Sequence, residues 1–309
     1  MLLRHSLLLS LSLVLSLCVD ASAFQSQAII PATLSSGVST DAATSALQGP
    51  WQSEHDASLA FMPDRQALLF THGRGLSRRI FFAHRQGNTW STPVPASFSG
   101  RWMDMEPAMA PNGSYLIFAS NRPVMPDGKV LDGYYDDKPQ PSRGGNLWRV
   151  NRVGNGWGVP VRLPDAVNSG SSIYAPTVAA DGSLYFMKAD PATSHFRLYL
   201  SHFVDGHLQA PTPLPFSDGV TDDYDPTVAP DQSFIVFTSD RKPSSATASN
   251  LFMAFATPTG WSTPINLGPA GTEARLEPGL ATLYFSGSDN RIHSMPIAQW
   301  LKQRAGMKL

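Results

Sequence analysis

The chain has 309 residues, 23 basic and 24 acidic, for a net charge of −1. The charges are mixed along the chain with no basic stripe, which excludes the phosphate-neutralising surface that a nucleic-acid binder needs. Cys18 is the single cysteine, so a chain processed beyond it has no disulfide, thiol nucleophile or cysteine-based zinc site.

Arg4 and His5 form a short positive head, and Leu7 to Leu17 is an apolar run broken only by serines. Ala21-Ser22-Ala23 then reads as a cleavage site. The apolar run is too short for a bilayer core of ~30 Å. The expectation is a signal peptide over 1–23, a single domain over 24–309, and a periplasmic or secreted product without a transmembrane segment. Lipidation at Cys18 is the alternative, although Leu17 is large where a lipidation motif wants a small residue.

From residue 63 onward one pattern recurs five times: a turn, then a short apolar strand ending in Phe. The Phe residues are Phe70, Phe118, Phe186, Phe237 and Phe285, and the chain has only 16 in all, so matched positions indicate a repeat. A period of about 50 residues in a strand-rich sequence predicts an all-β propeller. Each unit opens with a residue before Pro: Glu106-Pro107, Ala175-Pro176, Asp225-Pro226 and Glu277-Pro278, with a looser counterpart around Asp56.

The third part of each unit is Ile80-Phe81, Leu147-Trp148, Leu198-Tyr199, Leu251-Phe252 or Ile292-His293. Ten residues on from the first four pairs stand Trp90, Trp157, Leu208 and Trp261, each after a Gly or Asn turn. A fixed interval across such a turn is the mark of a hairpin in fixed register. These recurring Trp side chains therefore belong to outer hairpins and are not sugar platforms. The fifth unit lacks this part and runs into a short helical tail from Ala298 to Met307. Ile29 to Ser35 matches Pro93 to Ser99 class for class, so the N-terminal segment is expected to pair with the strand of Ile292. The fold expected is a five-bladed propeller, not a six-bladed one, closed by an N-terminal strand that removes two exposed edges.

The turns Pro111-Asn112-Gly113, Asp181-Gly182 and Pro230-Asp231, followed by Ser120-Asn121-Arg122 and Ser239-Asp240-Arg241, resemble the WD40-like repeat of TolB-type β-propellers. The resemblance covers nearly the whole of 24–309 and implies the fold and an envelope-facing binding role. The chain departs from TolB in showing five units where TolB has six and a separate N-terminal domain.

The inter-blade loops place Asp104, Glu106, Asp222, Asp223, Asp225, Glu273 and Glu277 near one axis, with Tyr174 beside them. Such a ring would suit a basic peptide segment or, at Asp222, Asp223 and Asp225, a hard cation such as calcium. The structural alternative makes Glu106, Asp225 and Glu277 blade-to-blade struts to Arg122, Arg241 and loop amides. One segment breaks the period: Pro123 to Gly145, a loop carrying Tyr134, Tyr135 and Asp136. Long aperiodic loops are usually functional or disordered, and paired tyrosines beside aspartates suit a glycan or peptide.

No Gly-x-Ser-x-Gly elbow, His-Glu-x-x-His helix or P-loop is present. His202 and His207 flank one hairpin and the remaining histidines are scattered, so no catalytic set can be assigned. Three readings follow: a module binding an envelope protein or a glycan; a carbohydrate-active enzyme, hydrolase or lyase, using channel-mouth carboxylates; and a structural envelope component lacking any small ligand. A deep polar pocket with a raised carboxyl pKa would mark the enzyme, and an apolar-rimmed face the binder.

Overall fold

The computed structural model describes residues 49–306 apart from Gln52 and 243–248. The predicted signal peptide, Cys18 and the closing strand Ile29 to Ser35 lie outside the described residues.

Among the described residues five antiparallel units follow one another along the chain, the fourth and fifth joined in one seven-stranded sheet, with two small two-stranded hairpins beside them. Their innermost strands are Asp56–Phe61, Asp104–Met109, Ile173–Val178, Asp223–Val228 and the end of Ile265–Leu276. Each inner strand neighbours the next, and the last neighbours the first, so the sheets surround a central channel. This is the β-propeller that the repeat predicts. The 12-residue strand Ile265–Leu276 serves twice, as the outer strand of the fourth sheet and the inner strand of the fifth.

The second strand of every sheet carries the repeated Phe. Phe70 pairs with Phe81, Phe118 with Trp148, Phe186 with Tyr199, Phe237 with Phe252 and Phe285 with His293. None of the five Phe is more than 3% exposed. An aromatic or large apolar partner directly across the pair fills the layer between sheets, which is why this position is fixed in the sequence. Trp157 packs edge-on to Phe98 and Trp261 edge-on to Phe216, confirming the Trp residues as parts of the outer hairpins.

Among the described residues the edge strand Ile292–Pro296 pairs only with Thr282–Gly287. Side chains hold the seam between last and first sheets. Tyr284 packs against Phe61 and Trp51, with ring centroids 5.1 and 6.0 Å apart. Ile292 is buried with Leu59, Leu68 and Phe70 of the first sheet. The tail forms the helix Ala298–Gly306, anchored by buried Trp300.

All five inner strands contain the same irregularity. Pairing shifts register after Ala57, Met105, Tyr174, Tyr224 and Thr272. The next residue in each, Ser58, Glu106, Ala175, Asp225 and Glu273, has φ between 46° and 56°. Five bulges with a left-handed non-glycine residue cost about 1–3 kcal/mol each, so the surrounding contacts must hold them. They turn five side chains towards a common centre.

Candidate functional site

Three of the five bulge residues, Glu106, Asp225 and Glu273, are acids at matched inner-strand positions. The Glu106 carboxylate accepts the N–H of Ala175 in the next sheet at 2.6 Å. Asp225 repeats the contact on Glu273 N–H at 2.9 Å, and the Ser58 hydroxyl donates to the Glu273 carboxylate. Each acid thus reaches the bulge of the following sheet, around the ring and across the seam. The threonines of these strands do the same. Thr177 Oγ1 accepts Val228 N–H, and Thr227 Oγ1 accepts Leu276 N–H.

Crowding in a buried ring disfavours the charge of Glu106 and of Asp225. Burial, then Glu273 and Asp225, push the Glu106 carboxyl up to about 8. Burial and Glu273 push Asp225 up to about 6, against the pull of Arg275 and Arg78. Arg78 lies beside the ring, its Nη2 4.0 Å from Glu273. Burial works against the Arg78 charge, but Glu273, Glu106 and Asp225 outweigh it and hold the guanidinium pKa above its ordinary value. A polar cavity of about 290 Å³ opens over this point, lined among others by His55, Arg74, Arg78 and Glu273. On the other side, where the inner strands reach their turns, a second cavity of about 140 Å³ draws residues from all five sheets. Glu106 and Asp225 line neither.

The other predicted acids lie elsewhere. Asp104 is fully buried and takes a side-on bidentate contact from Arg122, with Nε and Nη2 each at 3.1 Å. Asp223 is likewise buried and receives Arg241 Nη2 at 2.7 and 2.6 Å. Burial raises the Asp223 pKa although Arg241 opposes it. These two pairs, two residues before the bulge acids, are the struts to Arg122 and Arg241. The repeat pattern assigned those arginines to Glu106 and Asp225, which instead hold bulge amides of the next inner strand. Asp222 is taken by His195 at 2.9 Å and by Phe196 N–H at 2.6 Å, raising the His195 pKa first through that hydrogen bond. Asp222, Asp223 and Asp225 therefore face three different partners, and among the described residues no three His, Cys, Asp or Glu side chains converge as metal ligands.

Glu277 needs a correction. It accepts the Thr282 hydroxyl at 3.2 Å and lines the turn-side cavity, while Glu273 occupies the ring position. Pro278 supplied a misleading cue, because the fifth bulge is followed by Ala274 and the first by Leu59. Ser58, Arg78 and Arg275 were missed for the same reason: no proline marks these bulges, and Arg78 comes from a loop outside the repeat.

The aperiodic insert is ordered. Gly133–Tyr135 and Lys138–Gln140 form a hairpin, with Asp136 and Asp137 both at positive φ in the two-residue turn that such hairpins favour. Ser172 straps it to the third sheet, accepting Tyr134 N–H at 2.9 Å and donating to Tyr134 O at 3.1 Å. Tyr174 is buried beneath and donates to Arg143 O at 2.5 Å. Tyr135 wedges against Tyr174 and Phe196, with centroids 6.3 and 5.4 Å away. Tyr134 is 52% exposed and Asp136 is exposed at the tip. Of the insert's predicted contacts, Tyr135 and Tyr174 hold it down, while Tyr134 and Asp136 face solvent. Its first residues, Val124 and Met125, are 48% and 68% exposed. They wall an open groove of about 540 Å³ whose other side carries Trp102, Trp148 and Val161.

Solved structures share this architecture. A TolB protein from Agrobacterium tumefaciens superposes with a TM-score of 0.51 at 14% identity, over 76% of this chain and 71% of its own. A thermostable family-43 glycoside hydrolase gives 0.50 at 9% identity, covering 78% of this chain and 88% of its own. TolB from Acinetobacter baumannii gives 0.48 at 14% identity, and this chain spans 54% of its length. No protein-family profile matches the chain, and no curated protein matches it by sequence. The chain thus has a TolB-like propeller fold. Fold alone does not transfer activity between such proteins.

Proposed function

We propose that this protein is an exported, TolB-like propeller that binds an envelope protein or a glycan through the face carrying the insert. The observation that carries the reading is the insert itself. Among the described residues it is the one long loop insertion within a repeat unit, it is held by side-chain and backbone hydrogen bonds, and it still presents Val124, Met125 and Tyr134 to solvent. A rigid support with exposed apolar and aromatic groups is what a recognition surface requires, since ordering costs are already met in the free protein. Arg101 stacked on Trp102, 4.6 Å from the ring centroid, adds a cation beside that groove.

The experiment is capture from an envelope extract, together with a glycan array, using the protein with and without Tyr134→Ala and Met125→Ser. Loss of a captured species or glycan in the variants, with unchanged melting curves, supports the reading. Equal capture by both removes the insert from the site.

One observation favours the enzyme reading: Glu106 is a channel carboxyl with a pKa raised to about 8, as a general acid needs. Its geometry favours the binder. Glu106 and Asp225 line neither of the two channel cavities and spend an oxygen each on the next sheet's amide, whereas a catalytic acid must reach a substrate atom. Turnover of a glycan that is lost in Glu106→Gln would reverse this preference.

A further inference from the structure

The residue two places after each bulge lies on the channel wall, and across the five sheets it reads Ala60, Ala108, Thr177, Thr227 and Arg275. Four are small and the fifth is the longest basic side chain available. A repeat broken at one wall position marks a feature that folding does not demand, because the same strand is built four times without it.

Arg275 is 5% exposed. Its Nη1 donates to Ala274 O at 2.8 Å, but Nε and Nη2 are buried with no acceptor. Among the described residues it makes no ion pair, although it lies near enough to Asp225 to lower that carboxyl's pKa. A buried guanidinium normally has all its donors met, since an unpaired buried charge costs several kcal/mol. Elsewhere in the same molecule the same edge is satisfied: Nε and Nη2 of Arg122 grip the two oxygens of Asp104 side-on. The empty edge of Arg275 is thus shaped for a planar, two-oxygen anion.

The cavity that Arg275 lines has about 140 Å³ of free space. Apart from Arg275 and Glu277 its wall is mostly apolar, with Phe61, Met109, Val178, Val228 and Leu276 contributed one from each sheet. Glu106, two residues before Ala108 of this wall, holds its proton up to about 8 and so withholds one negative charge that would repel an anion.

We propose that the turn-side end of the channel is a binding site for a carboxylate with an apolar body, its two oxygens on Nε and Nη2 of Arg275 and its apolar part among Phe61, Met109, Val178, Val228 and Leu276. The carboxylate is either a free small organic acid or the C-terminus of a peptide ending in an apolar residue. The site lies at the opposite end of the inner strands from the insert and is independent of the function proposed above.

The test is titration calorimetry on the purified protein, with saturation-transfer NMR to locate the contact. The probes are benzoate, isovalerate, the neutral isostere benzamide, and a short peptide ending in Val-Leu as free acid or amide. The expected result is saturable binding of the carboxylates, no binding of benzamide, and loss of affinity by about tenfold or more in Arg275→Met. If Arg275→Met does not fold, Val228→Phe keeps the guanidinium, fills the cavity and must abolish binding. Binding of benzoate without the free-acid peptide assigns a small acid. Binding of the free-acid peptide, but not its amide, assigns a chain terminus. No saturation by any carboxylate up to about 10 mM, a range that would mean less than ~3 kcal/mol of affinity, overturns the proposal and leaves water as the partner of Arg275. Equal binding of benzamide, or unchanged affinity in a folded Arg275→Met protein, overturns it as well.

Discussion

The Glu106 carboxylate of the second sheet accepts the backbone N–H of Ala175 in the third at 2.6 Å. The contact joins two inner strands at their bulges, where both residues hold positive φ. Asp225 and Glu273 repeat it one sheet apart, so the acids of the channel act first as a clasp between sheets.

The clasp makes stability depend on pH. Glu106 has an ordinary pKa of 4.5 and is raised to about 8 in the folded protein, so the native state holds a proton that the unfolded chain has released. Where the native state binds more protons, stability falls as pH rises. The contribution is fully present below about 4.5, declines through the window between, and is lost above about 8. Asp225, raised to about 6, adds a decline in the lower part of that window. Denaturant unfolding of wild type and Glu106→Gln across this range checks the point. The variant, permanently neutral, should show the flatter profile.

Asp104 and Arg122 form a buried pair, with side chains 0% and 9% exposed. Removing one partner leaves the other charged, buried and unpaired, so Asp104→Ala should cost roughly 3–5 kcal/mol. Asp223→Ala should behave alike against Arg241. Equilibrium unfolding in urea gives both values.

Truncating the repeated aromatic at Phe70, Phe118, Phe186, Phe237 or Phe285 should cost about 3–5 kcal/mol at each site, because every one is buried between sheets. Near-equal losses across the five positions in urea unfolding are the expected signature of one repeated role.

The two insert tyrosines should separate. Tyr135→Ala removes a ring packed on Tyr174 and Phe196 and should lower stability by about 1–3 kcal/mol. Tyr134→Ala removes an exposed ring and should stay within about 0.5 kcal/mol of wild type. Melting curves of the two variants, run side by side, test this division.

Much of the fold could be read from the chain because propeller blades repeat their requirements. A Phe facing an aromatic or large partner, a turn before it, and a hairpin residue ten positions after the apolar residue that opens the third strand's pair are needed in nearly every sheet. The site was less legible. A bulge is a backbone event with no obligatory residue, so Pro marked it in three sheets and Leu59 and Ala274 concealed it in two. Glu277 therefore stood in for Glu273. Asp104 and Glu106 are two residues apart yet do different work, one bonded to Arg122 and one to the next sheet, and only the register shift separates them. The insert read as a loop because Pro, Gly and charge dominate it. Its hairpin depends on two aspartates at positive φ and on Ser172, which lies 27 residues beyond the segment's end.

The central claim is that the insert face recognises a ligand while the channel acids hold the propeller together. The most direct test measures the yield of one captured envelope protein or glycan on wild type, Tyr134→Ala with Met125→Ser, and Glu106→Gln. The account predicts full capture by Glu106→Gln and a loss of capture by the insert variant, with all three folded. Retained capture by the insert variant and loss in Glu106→Gln would contradict it and move the site into the channel.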